Sequence, residues 1–152
     1  RSGRARGLTP VHAMGVTDQH SQLQLYLDGP DDKQFTLLAD PKLGPQGARV
    51  PQRYTDLPAT APLAGHTTGE LLLAEFRATR ETLTRHARPN RTILLDTRDP
   101  AALGALILLL ELETVVVAQL LGIDPFDQPA VEESKALARE YLSQAALLQT
   151  RP

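Results

Sequence analysis

No cysteine occurs among the 152 residues. That excludes a disulfide framework, a thiol nucleophile and a thiolate metal site, and it fits a reducing, cytoplasmic setting. Neither sign of charge dominates. Sixteen Lys and Arg against 18 Asp and Glu give a formal net charge of −2, scattered along the chain, which argues against a nucleic-acid-binding surface. Arg1, Arg4 and Arg6 form a short basic start that reads as a linker, and the amino end lacks the apolar region of a signal peptide. The one long apolar run, Ala101 to Leu110, is followed by Glu111 and Glu113 before Val115-Val116-Val117 resumes. No uncharged stretch therefore approaches the ~20 residues of a membrane span, and the run reads as a helix buried in protein, with no membrane partner. No internal repeat is evident. Gly65-x-x-x-Gly69 lacks the strand-turn-helix context of a phosphate fingerprint, and no His/Asp/Glu constellation has metal-ligand spacing, so neither metal nor cofactor is expected.

With 41% apolar and 22% charged residues the chain supports one ordinary core, and one domain is expected. Thr17 is placed to cap a helix whose face holds His20, Leu23 and Leu27. Gln22 to Leu27 also alternates as a strand does, but the cap and the terminating Asp28-Gly29-Pro30 favour helix. Gln34 to Leu38 reads as a strand. Five prolines and two glycines between Asp40 and Pro62 forbid regular structure over residues 40–62, a surface excursion that wraps a neighbour or a functional edge. Thr67-x-x-Glu70 is a capping box opening a helix to about His86, with Leu72, Phe76, Thr79 and Leu83 along one stripe. A second strand runs from Asn90 to Asp96. A helix from Pro100 to Leu121, closed by Gly122, is apolar on almost every side and is expected to be central and nearly fully buried. The last helix starts at Pro129, with Asp127 or Gln128 as cap, and runs to about Ser143. Strands alternating with long helices indicate an α/β fold.

At about 100° per residue, Lys135 of that last helix lies at the rim of an apolar arc built on Val131, Ala138 and Leu142, while Glu132 and Glu133 point away. Two readings stay open. Its methylene stem covers apolar surface while the ammonium reaches water, or the cation is aimed into a cleft.

Phe126-Asp127-Gln128-x-Ala130-Val131-Glu132-x-x-Lys135, after Leu121-Gly122-Ile123, resembles the C-terminal signature of the glucose-6-phosphate isomerases. Gly15-Val16-Thr17-Asp18-Gln19-His20-Ser21-Gln22 is similar to the segment carrying that family's ring-opening histidine. Gly65 to Leu72 with Ala74 to Thr79 resembles the bacterial members. The likeness covers about residues 7 to 143, with Ala130 and Ser134 standing where many members have glycine.

The resemblance implies the sugar-isomerase (SIS) fold, a layered sheet flanked by helices, with residues 1–152 as its C-terminal part and a single partial domain. It implies a sugar-phosphate substrate, no metal and a homodimeric full-length enzyme. It assigns His20 and Lys135 as catalytic residues and Gln128 as a substrate-binding amide. An imidazole titrates near neutrality and so suits ring opening, although a lone histidine near a helix start also serves structure. The carboxylate that moves a proton between C1 and C2, and the hydroxyl-rich phosphate loop, belong to family segments upstream of the histidine and have no counterpart here, so the chain alone is expected to be inactive. Two other readings remain: a noncatalytic sugar-phosphate-binding regulatory domain of the same fold, and an all-helical interaction module built on the 101–121 helix.

Overall fold

Two short strands, β1 (Phe35–Ala39) and β2 (Asn90–Leu94), lie parallel, with Phe35 opposite Asn90 and Ala39 opposite Leu94. Parallel neighbours need a long crossover, and the chain provides one through the proline-rich excursion and helix α2 (Thr68–Arg85). The computed structural model describes residues 7–149, with Tyr54 and residues 145–149 described by backbone alone; the basic start and the chain end lie outside the described residues. Contacts divide the chain into two compact units, one of residues 10–104 and one holding the described residues 7–9 and 105–149. The α/β expectation stands, and the strand pair overturns the all-helical alternative. Strand ends fall within two residues of their expected positions.

Helix α1 (Thr17–Asp28) settles the helix-or-strand ambiguity of its sequence. It stops where Gly29 returns its N–H to the Leu25 carbonyl at 2.9 Å and Pro30 bars another turn. Its start differs from expectation. Thr17 is the first helical residue, and the cap position belongs to Val16, at φ 69° and without a side-chain cap bond. A capping hydroxyl needs an extended backbone at the cap, which Val16 does not adopt. No residue of α1 is buried. Its attachments include a Tyr26–Phe35 ring contact, with centroids 4.9 Å apart, and the Arg88 side chain described below.

The excursion folds back onto the start of α2. Val50 N–H reaches the His66 carbonyl, Thr68 N–H the Ala48 carbonyl and Gly69 N–H the Gln46 carbonyl, at 2.9, 2.9 and 3.0 Å. Thr67, only 3% exposed, accepts the Glu70 N–H and donates its hydroxyl to the Gly44 carbonyl, while the Glu70 carboxylate takes the Thr67 N–H at 2.8 Å. The capping box is thus formed as expected. Of the expected stripe, Leu83 and Thr79 are buried, Phe76 is half-buried and Leu72 is exposed. At its other end α2 closes with Arg88 N–H on the Leu83 carbonyl and Ala87 N–H on the Thr84 carbonyl, with Ala87 at φ 54° where glycine is usual.

The Thr67 N–H holds the Glu70 carboxyl below the usual carboxylate range, and the Lys42 N–H with Arg98 does the same for Asp40. A depressed folded-state value means that the stabilisation is complete above about pH 5 and is lost as pH falls through the folded-state value. Denaturant melts between pH 7 and pH 3 are therefore expected to show stability falling on the acid side. Glu70→Gln, which keeps the box but not its charge, is expected to make that fall shallower; an unchanged acid limb contradicts the assignment.

Helix α3 (Pro100–Leu121), most of which belongs to the second unit, begins where the Asp99 carboxylate takes the Ala102 N–H at 2.8 Å, and it ends at Gly122 with φ 68°. The expectation of a buried central helix is not met within this chain. No residue of α3 is buried, and Leu103, Leu108, Leu112, Val116 and Leu120 each expose more than half of their surface. Among the described residues it is the one helix long and apolar enough to cross a membrane, despite the two glutamates that weighed against a span. Helix α4 (Pro129–Gln149) starts at the expected proline and continues past Ser143, because Ala145 to Leu148 are strong helix formers with no stop signal among them.

Candidate active site

His20 is the fourth residue of α1 and is exposed, with its N–H on the Val16 carbonyl at 3.4 Å. Its approach is unusual: a β-branched residue at positive φ costs on the order of 1–2 kcal/mol, and Val16 is held so by neighbouring bonds. Met14 N–H donates to the Asp18 carboxylate, Asp18 N–H to the Met14 carbonyl at 3.1 Å and Thr17 N–H to the Gly15 carbonyl at 2.9 Å. Strained backbone held by its surroundings concentrates at functional segments, and this strain lies four residues before the predicted catalytic histidine.

Gln128 and Lys135 lie in the other unit, two helical turns apart and both exposed. The Gln128 carbonyl accepts the Val131 and Glu132 N–H groups at 3.0 and 3.2 Å, so Gln128 occupies the cap position of α4, with its side chain at the helix start. Lys135 is paired with Glu132 at 2.7 Å, and its side chain is 54% exposed. Residues 129–144 are all exposed, and Glu132, which the helical pattern turned away from the apolar arc, faces the lysine because residues three apart on a helix are neighbours. An exposed pair of this kind is worth about 0–1 kcal/mol, so an anionic ligand can draw the ammonium away from Glu132.

Two of the other histidines serve other ends. His66 Nδ1 lies 3.2 Å from Glu70, and His86 caps the C-terminus of α2. Of the depressions over the described residues, one lies over Pro62, Leu63, His66 and Leu71 and another over Leu108, Leu112, Val115 and Phe126; neither of these includes His20, Gln128 or Lys135. Among the described residues no three His, Asp or Glu side chains gather as a metal site. Sequence reasoning passed over two basic residues of the first unit. Arg98 donates to the Asp40 carboxylate and, at 3.2 Å, to Gln46 Oε1, tying the excursion to the ends of the strands. Arg88, with a side chain 14% exposed, reaches back to the end of α1. The one local signal for Arg88 is its place between a helix end and Pro89, where the backbone is forced to extend.

Residues 64–149 match the sequence profile described as phosphoglucose isomerase, more than half of the chain. The chain belongs to the phosphoglucose isomerase family. Relatives agree. It is 46% identical over 132 residues to the glucose-6-phosphate isomerase of Rubrobacter xylanophilus, covering 87% of this chain and 30% of that protein. With the glucose-6-phosphate isomerase of Thermus thermophilus it shares 36% identity over 143 residues, 94% of this chain and 34% of that one. A crystal structure of a hypothetical protein from Thermus thermophilus superposes with a TM-score of 0.78 at 35% identity, covering 93% of this chain and 34% of the other. The chain thus spans about a third of the length of the relatives it matches. The match to the family profile includes Gln128 and Lys135.

Proposed function

We propose that these residues are one segment of a glucose-6-phosphate isomerase, which interconverts glucose 6-phosphate and fructose 6-phosphate through ring opening and a cis-enediol intermediate. One observation carries this reading. The alignment with the Thermus thermophilus glucose-6-phosphate isomerase covers 143 of 152 residues, so it spans His20, Gln128 and Lys135 wherever it begins.

In this reading His20 moves the ring-opening proton, taking it from the C1 hydroxyl and delivering it to the ring oxygen. Lys135 leaves Glu132 for the sugar oxygens and steadies the negative charge that develops there, and Gln128 at the start of α4 offers an amide to the same sugar. The C1–C2 proton then passes by way of a carboxylate outside these residues, and the phosphate is held outside them as well. The same remainder covers α3. Glu111 and Glu113 near its middle would each be costly at a bilayer centre, which favours a cover of protein. The SIS fold, a homodimer and a cytoplasmic setting belong to the same proposal.

A coupled assay on the full-length protein tests it. Glucose 6-phosphate is expected to convert to fructose 6-phosphate, with Lys135→Ala lowering kcat/KM by roughly 100-fold, the scale of one lost charge-stabilising donor. Tight binding of sugar phosphate without conversion would favour the noncatalytic regulatory domain instead.

A further inference from the structure

The geometry points to Arg88 as the positioning residue of the ring-opening helix. The inference rests on the reading of His20 just given. Helix α1 has an acidic residue in its first turn, no basic residue in its last turn and no fully buried side chain; the Tyr26–Phe35 ring contact tethers one face, while its C-terminal carbonyls have no cation of its own. Arg88 supplies what is missing. Its Nη2 donates to the Leu27 carbonyl, 61 positions earlier in the chain, and to the Gly29 carbonyl at 3.2 Å, while Nη1 lies 2.9 Å from the Asp31 carboxylate. Carbonyls at a helix C-terminus lack partners within the helix, and a cation there also meets the negative end of the helix dipole.

The guanidinium is itself held by a stiff frame. Arg88 N–H closes the α2 turn on the Leu83 carbonyl at 2.8 Å, and the Arg88 carbonyl accepts from Asn90 Nδ2 at 2.9 Å. The next residue, Pro89, takes the Phe35 N–H at 2.9 Å and so begins the β1–β2 pairing. The α2–β2 corner thereby grips α1 by one end while His20 stands near the other. Only a planar fork reaches two carbonyls and a carboxylate together. A lysine keeps the charge and loses that geometry.

The test uses the full-length protein as wild type, Arg88→Lys, His20→Ala and the double variant, with kcat/KM measured on cyclic and on open-chain sugar phosphate. Arg88→Lys is expected to lose roughly 10- to 100-fold on the cyclic form, the scale of an ångström of misplacement, and less than about threefold on the open chain. It is expected to add nothing in the His20→Ala background, because it acts through that residue. Equal losses on both forms, or a loss that persists without the histidine, would overturn the assignment. Amide exchange gives an independent reading: Arg88→Lys is expected to speed exchange along α1 relative to α2, and unchanged α1 protection overturns the inference. If His20→Ala shows no cyclic-selective loss, the reading of His20 fails, while exchange along α1 still judges Arg88. If Arg88→Lys does not fold, Asp31→Asn, at an exposed partner, is expected to show the same selective loss at smaller size, and equal losses on both substrates count against it.

Discussion

Gly69→Ala is expected to destabilise the protein by about 3 kcal/mol, the upper part of the range for overpacking. Helix propensity alone argues the other way, since alanine in a helix is better than glycine by about 1 kcal/mol. Close approach decides. A Cβ on Gly69 would fall far inside van der Waals contact of the Leu43 carbonyl oxygen and 2.8 Å from that of Gln46, and both contacts are backbone. The loop has little room to retreat, because it is tied to the start of α2 through Gly44, Gln46, Ala48 and Val50. Moving it by an ångström breaks those bonds together. Thermal melts are the check: a midpoint several degrees lower is expected, and an unchanged or higher midpoint would show that the loop gives way freely.

The 152 residues by themselves are expected not to isomerise glucose 6-phosphate at a detectable rate. His20, Gln128 and Lys135 can open a ring and steady an anion, but the C1–C2 proton still needs a carboxylate in position and the phosphate still needs donors. The carboxylate nearest to Lys135 is Glu132, already paired with it. The apolar surface of α3, exposed along its length, also predicts poor solubility for the isolated chain. A coupled assay on purified chain, free of host enzyme, checks this; robust conversion would show that a base is present here, with Glu111, Glu113 and Glu132 the first to replace.

Local signals were legible where the physics is local. The Thr67–Glu70 box, the Gly29-Pro30 stop, Pro129 at the first position of α4 and Gly122 after α3 all act within a few residues, and each stands where the sequence places it. The cap of α1 was misread because Thr17 has the right side chain, while the backbone before it takes the left-handed region at Val16. The parallel register of β1 and β2, the fit of Gly69 beneath the 43–46 carbonyls and the reach of Arg88 to Leu27 each join residues 23 or more positions apart, and no short pattern records such joins.

Helix α3 shows a different limit. An all-round apolar sequence says that a helix is covered in its working state, not which part of the protein covers it. Among the described residues no side chain of α3 is buried. The site divides in the same way: motif spacing carried Gln128 and Lys135 as a pair on one helix, and their own helix start holds them two turns apart. Lys135 was read against an apolar arc, whereas its observed neighbour is a glutamate three residues away, a contact that helix geometry alone would have suggested.

The most direct measurement compares His20→Ala with wild type in the full-length protein on cyclic and on open-chain substrate. If His20 carries the ring-opening proton, turnover of the cyclic sugar phosphate falls by roughly 100- to 10,000-fold, the usual worth of a positioned acid–base group, while the open-chain form is converted at close to the normal rate. Equal losses on the two forms would contradict the assignment and leave His20 a structural residue of α1.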